Sequence, residues 1–124
     1  MEFKIDTKVT YCTIIPIFDR ISANLTGELG KKCGELRQSG SINFIIDLQH
    51  CTEIDKTAIK ELIAMHEESY GRNESLVFTG INKKVITALK KEETDLLINI
   101  ARRMEEAIDI ISMEILERDL FSEE

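Results

Sequence analysis

The residues of this chain with chemistry to offer are Asp47, Asp55 and Thr57, gathered in one short segment. Phe44-Ile45-Ile46-Asp47-Leu48 leads through a polar turn into Ile54-Asp55-Lys56-Thr57-Ala58-Ile59. The first run is apolar enough for a buried strand, and the second opens a helix with Asp55 as N-cap. A helix start leaves N–H groups unpaired and presents the positive end of the dipole, so an added anion is well placed there. Thr57 falls at the second helical position. At about 100° per residue it lies roughly 200° from Ile59, away from the packed stripe. The same outward face continues through Lys60, Glu61, Ala64 and Glu68, and Ala64 leaves a shallow spot amid charge where a partner can dock. A phosphate on Thr57 would add about −1.5 to −2 charges to this face. The helix would gain about 0.3–1 kcal/mol from it, whereas a partner built for a neutral hydroxyl would have to desolvate a dianion. The plainer alternative is a hydrophilic first-turn threonine, and geometry leaves both readings open.

Enzymatic chemistry finds little support. Asp47 and Asp55 could approach each other at the carboxyl ends of neighbouring elements, but a turn-stabilising residue and an N-cap account for them more simply. Neither phosphate-cradling glycine pattern is present, and no serine has a histidine and an acid in a recognisable order. Cys12, Cys33 and Cys51 are odd in number and set among apolar or helical residues, as small buried thiols are. His50 beside Cys51 has no further ligand at metal spacing, and His66 sits inside a helical pattern as a packed, hydrogen-bonded side chain. The expectation is a non-enzyme with no metal and no cofactor.

The chain has 124 residues, 43% hydrophobic and 31% charged, the size and balance of one globular domain over 1–124. A net charge of −7 disfavours nucleic acid and anionic membrane as partners. No apolar run approaches a membrane span and no leader opens the chain, so a cytoplasmic protein without membrane insertion is expected.

These elements must hold the segment in place. Phe3, Ile5, Val9 and Tyr11 alternate around a turn candidate at Asp6-Thr7-Lys8, and the second arm runs through Cys12 to Ile17. Pro16 places an edge or irregularity there. Phe18-Asp19-Arg20-Ile21 reads as a loop, and Ser22 caps a helix carrying Leu25, Leu29, Cys33 and Leu36 inward. Gly27, Gly30 and Gly34 each weaken that helix by about 1 kcal/mol relative to alanine. Residues 42–48 form a central strand covered on both faces. The helix from Asp55 turns Ile59, Leu62, Ile63, His66 and Tyr70 inward; Leu76-Val77-Phe78 is the next strand. Val85, Ile86 and Leu89 line a short helix opened by Ile81-Asn82, and Leu96-Leu97-Ile98 reads as a weak strand. A final helix over 102–120 packs Met104, Ala107, Ile108, Ile111 and Ile115, with Ile110, Met113, Leu116, Leu120 and Phe121 on other sides. The order β-β-α-β-α-β-α-β-α predicts an α/β fold, with a mixed sheet of four to five strands and about four helices against it.

At these residues the sequence resembles a STAS domain, the module of bacterial anti-sigma-factor antagonists and of sulphate-transporter tails. The similarity runs from about Phe3 to Ile111. Phe18-Asp19-Arg20-Ile21-Ser22-Ala23 resembles the family's leucine-aspartate loop, and Ile45-Ile46-Asp47-Leu48 with Ile54 to Ile59 resembles its strand and D-S-S-G-L turn. Leu76-Val77-Phe78-Thr79-Gly80 with Val85 and Leu89 resembles the next strand and helix, and Glu106-Ala107 the start of the last helix's packed face. The resemblance implies a protein that binds an anti-sigma kinase and is released by phosphorylation of the second serine of the turn, a position held here by Thr57. It also implies a partner-binding surface of Asp19, Asp55, Lys56, Thr57, Lys60, Glu61 and Ala64. Lys56, Ala58 and Lys60 depart from the family's serine, glycine and small residue. Other branches imply a non-switching subunit of a lipid-transport complex or a self-assembling, stressosome-like scaffold. A homodimer through the C-terminal helix belongs with the last.

Overall fold

The computed structural model describes residues 1–122. Strand β1 (Phe3–Thr7) turns back into β2 (Cys12–Pro16), with Lys8 N–H donating to the Tyr11 carbonyl at 2.8 Å. The turn lies later than expected: Asp6 and Thr7 remain in the ladder opposite Thr13 and Cys12, and Val9 is at the exposed tip. Alternation misled here because β1 is an edge strand, with little core for Val9 to join.

Strands β3 (Arg20–Ile21), β4 (Asn43–Asp47), β5 (Glu53–Ile54) and β6 (Ser75–Thr79) follow, and the main sheet has the order β1-β2-β4-β6, antiparallel only between β1 and β2. β4 (Asn43–Asp47) and β6 (Ser75–Thr79) are buried along their whole length. Phe44, Ile46, Leu76 and Phe78 face one side and Ile45 and Val77 the other, the alternation that a sheet covered on both faces requires. Pro16 pairs with Phe3, while the β2–β4 ladder covers only Cys12 to Ile14. Its missing N–H is thus past the inner ladder, although β2 itself is an interior strand.

Helices α1 (Ala23–Gln38), α2 (Lys56–Gly71) and α3 (Lys83–Lys91) cover the Phe44 face, and α4 (Met104–Ser122) covers the Ile45 face with Ala107 and Ile111. Ser22 Oγ accepts from Leu25 N–H at 3.2 Å, capping α1 as the sequence predicts, and Asn82 Oδ1 accepts from Val85 N–H at 2.9 Å, capping α3.

Two further expectations are corrected. Leu96-Leu97-Ile98 is not a strand: Thr94–Leu96 is one 3-10 turn, Leu96 and Leu97 are exposed, and only Ile98 is buried. The fifth sheet position is a single bridge from Phe78 to Ile100, with Phe78 N–H on the Asn99 carbonyl and Ala101 N–H on the Phe78 carbonyl. A short apolar run cannot by itself distinguish a strand from a turn with one anchor. Within the expected 18–21 loop, Arg20–Ile21 is a strand, β3, paired in parallel with β5 (Glu53–Ile54). No helix among the described residues is long and apolar enough to cross a membrane.

Candidate functional site

The carboxyl ends of β2 and β4 run into the β3–β5 pair, which carries the site. The Asp19 carbonyl accepts from Thr52 N–H at 2.7 Å and Glu53 N–H at 3.2 Å, and Asp55 N–H donates to the Ile21 carbonyl at 2.9 Å. These bonds tie the loop before α1 to the segment before α2, and bring Asp19 to the same end of the molecule as the α2 first turn.

Asp55 is the N-cap residue by position, with extended backbone, yet its side chain makes no capping bond. Its Oδ1 instead accepts from Arg20 Nη1 at 2.7 Å. Arg20 Nη2 pairs with Glu53, whose other oxygen accepts from Lys84 Nζ at 3.1 Å. The hydrogen bond to Asp55, then the charges of Glu53 and Asp55, raise the Arg20 pKa. Glu53 is held below its ordinary value by the Lys84 bond first and the Arg20 charge second. Arg20, Glu53 and Lys84 are the members that sequence reasoning missed. Arg20 lies 33 and 35 positions from its partners, and only the β3–β5 pairing, itself two residues long, joins them.

Thr57, Lys56, Lys60, Glu61 and Ala64 are exposed, while Ala58, Ile59 and Leu62 are buried. The helix thus presents to solvent the outward side that the 100° rotation predicts. Ala58 has no exposed surface, so a small residue is needed where the chain enters the helix against the core.

Asp47 serves the turn. It is 7% exposed, and its carboxylate accepts from Gln49 N–H at 3.1 Å and Gln49 Nε2 at 2.8 Å. Gly80, at φ +69°, abuts it so closely that an added Cβ would collide with Asp47 Oδ1. Asp47 and Asp55 therefore engage different partners, Gln49 and Arg20.

Cys12, Cys33 and Cys51 are free and buried, and burial pushes the Cys33 and Cys51 thiols up to about 12 and about 11. His66 is half-buried against Tyr70, ring centroids 4.5 Å apart. The hydrogen bond expected of it is missing at Nε2, which is buried with no partner among the described residues, and burial lowers its pKa. No cluster of three metal-ligating side chains occurs among the described residues.

No protein-family model and no curated protein matches the sequence. Solved structures do. The Thermotoga maritima protein TM1081 is 13% identical over 90% of each chain, with a TM-score of 0.75. An anti-sigma factor antagonist from Mycobacterium paratuberculosis is 12% identical over 90% of this chain and 93% of its own, TM-score 0.73. The anti-sigma factor antagonist SpoIIAA of Bacillus, in its unphosphorylated form, is 13% identical over 90% of this chain and 96% of its own, TM-score 0.67. At such identities the likeness concerns architecture: four strands in a mixed sheet, four helices and the short ladder before α2 together make the STAS fold.

Proposed function

We propose that this chain is an anti-sigma-factor antagonist-like regulator that binds an anti-sigma serine/threonine kinase and is released when Thr57 is phosphorylated. The docking surface combines Asp19 with Asp55, Lys56, Thr57, Lys60, Glu61 and Ala64. The observation that carries this reading is the exposed Thr57 hydroxyl in the first turn of α2, on a fold shared with SpoIIAA. SpoIIAA itself occurs in unphosphorylated and phosphorylated forms. The helix dipole accommodates a phosphate at this position, and Lys56 and Lys60 flank it with positive charge. A partner in contact with a neutral threonine meets a dianion instead, so modification acts on binding and leaves the fold intact. Localisation in the cytoplasm, with no nucleic acid or inserted membrane segment, fits this role.

The test is affinity for the cognate kinase, measured with the parent, Thr57→Ala and Thr57→Glu. Thr57→Ala should bind and resist release by ATP; Thr57→Glu should bind about tenfold or more weakly, as a desolvated charge demands. If both variants bind and release as the parent does, the switch is wrong.

A second reading, a self-assembling scaffold, is favoured by one observation: Met113, Leu116, Leu120 and Phe121 stand exposed along α4. The molecular architecture of the stressosome includes a chain of the same fold, 18% identical with a TM-score of 0.60.

A further inference from the structure

The parallel strands direct their carboxyl ends toward Thr57, so their amino ends lie at the opposite pole. A cavity of about 280 Å³ opens there between the β1–β2 turn, the loop after α1, and α4. Arg118 is fixed in its wall. Nη1 donates to Ser75 Oγ at 2.9 Å and Nη2 to Asn43 Oδ1 at 2.8 Å. Both acceptors are buried, and Asn43 is held in turn by Ser75 N–H and by its own donation to the Thr10 carbonyl.

Both acceptors are neutral. In a chain with 23 acidic residues, this half-buried guanidinium has no carboxylate partner among the described residues. Two N–H groups hold it in a single orientation, and its remaining donors have no partner among the described residues. A cation held by two neutral acceptors at the edge of a cavity can add a charge-assisted hydrogen bond to an anion arriving from outside, although Glu114 and Glu117 line the neighbouring cavity that Arg118 also borders. Lys8 on the rim adds positive charge, although Asp6 shares it at 3.4 Å.

The other walls select among anions. Asp119 lies on the same cavity and repels a dianion more than a monoanion. Ile42 and Ile115 supply apolar surface beside the charge. We propose that this cavity is a ligand site for a small monocarboxylate with a short aliphatic portion, its carboxylate on Arg118 and its chain against Ile42 and Ile115. The site is independent of the Thr57 switch and stands or falls separately from it.

Butyrate, inorganic phosphate and sodium chloride at matched ionic strength, titrated into the isotope-labelled protein, test this. Butyrate should give saturable amide shifts at Tyr11, Ser41 and Asn43 that chloride does not. Arg118→Gln should weaken butyrate about tenfold or more, the loss expected for a charge-assisted hydrogen bond. Lys8→Glu, on the exposed rim, should weaken it in the same direction and serves if Arg118→Gln does not fold. Shifts no larger than those of chloride, or butyrate binding that survives the substitutions, would mean that Arg118 only ties α4 to the sheet, and overturn the site. Phosphate binding without butyrate binding would overturn the ligand class.

Discussion

Arg20 engages both Glu53 and Asp55, and so leaves the start of α2 without the side-chain cap that Asp55 could supply. Ala58 N–H is taken by the Asp55 carbonyl at 3.0 Å, and no side chain caps the N–H groups of Lys56 and Thr57, an arrangement that favours an added phosphate there. His66 makes a different residue-scale prediction. Burial lowers its pKa below the ordinary 6.5, against opposing charges from Glu114 and Glu67. The unfolded chain therefore binds the proton more tightly than the folded one. Stability is full above about pH 6.5 and falls as the pH drops toward the lower folded value. Urea midpoints measured on either side of that window should show the decline, and His66→Gln should flatten it; an unchanged slope in the variant would assign the decline to other groups. What was legible at this scale followed the helical period. The exposure of Thr57 could be counted from Ile59, whereas the burial of Ala58 was not foreseen and the Arg20 contacts depend on a two-residue ladder between distant segments.

Among the elements, α1 departs furthest from helical preference. Gly27, Gly30 and Gly34 lie within it, and a Cβ added at any of them would meet nothing within 4 Å. Packing therefore does not require glycine there, and helix propensity alone sets the effect of substitution. Gly27→Ala and Gly30→Ala should each raise the unfolding free energy by about 1 kcal/mol, read as a higher denaturant midpoint at constant slope. Destabilisation by either would mean that α1 touches something these positions do not reveal. Caps and apolar stripes made the helices legible, Ser22 above all. The strands flanking turns were less so. Val9 continues the alternation of β1 but lies beyond the ladder, and Leu96-Leu97 is apolar without any sheet to enter.

At the scale of the whole molecule, α4 is both a core element and an exposed surface. Ala107 and Ile111 seal the second face of the sheet, Glu114 accepts from the Tyr70 hydroxyl at 2.8 Å, and Arg118 reaches Ser75 and Asn43. Removing the chain after Glu114 would take Ile115 and Arg118 with it, so truncation would disturb the core along with any interface. Substitution on the exposed side separates the two roles. Leu116 and Leu120 are more than half exposed, at 59% and 57%, so Leu116→Lys with Leu120→Lys should leave the monomer folded, read as an unchanged far-ultraviolet circular dichroism spectrum. If α4 is a self-association face, sedimentation should find the parent as a dimer and the double variant as a monomer. Each copy carries a net charge of −7, so two copies repel. Salt screens that repulsion and leaves apolar burial in place, so the parent's dimer should tighten as ionic strength rises. A parent that remains monomeric at high salt would leave α4 as a wall of the core alone, and would remove the scaffold reading while the Thr57 switch stood.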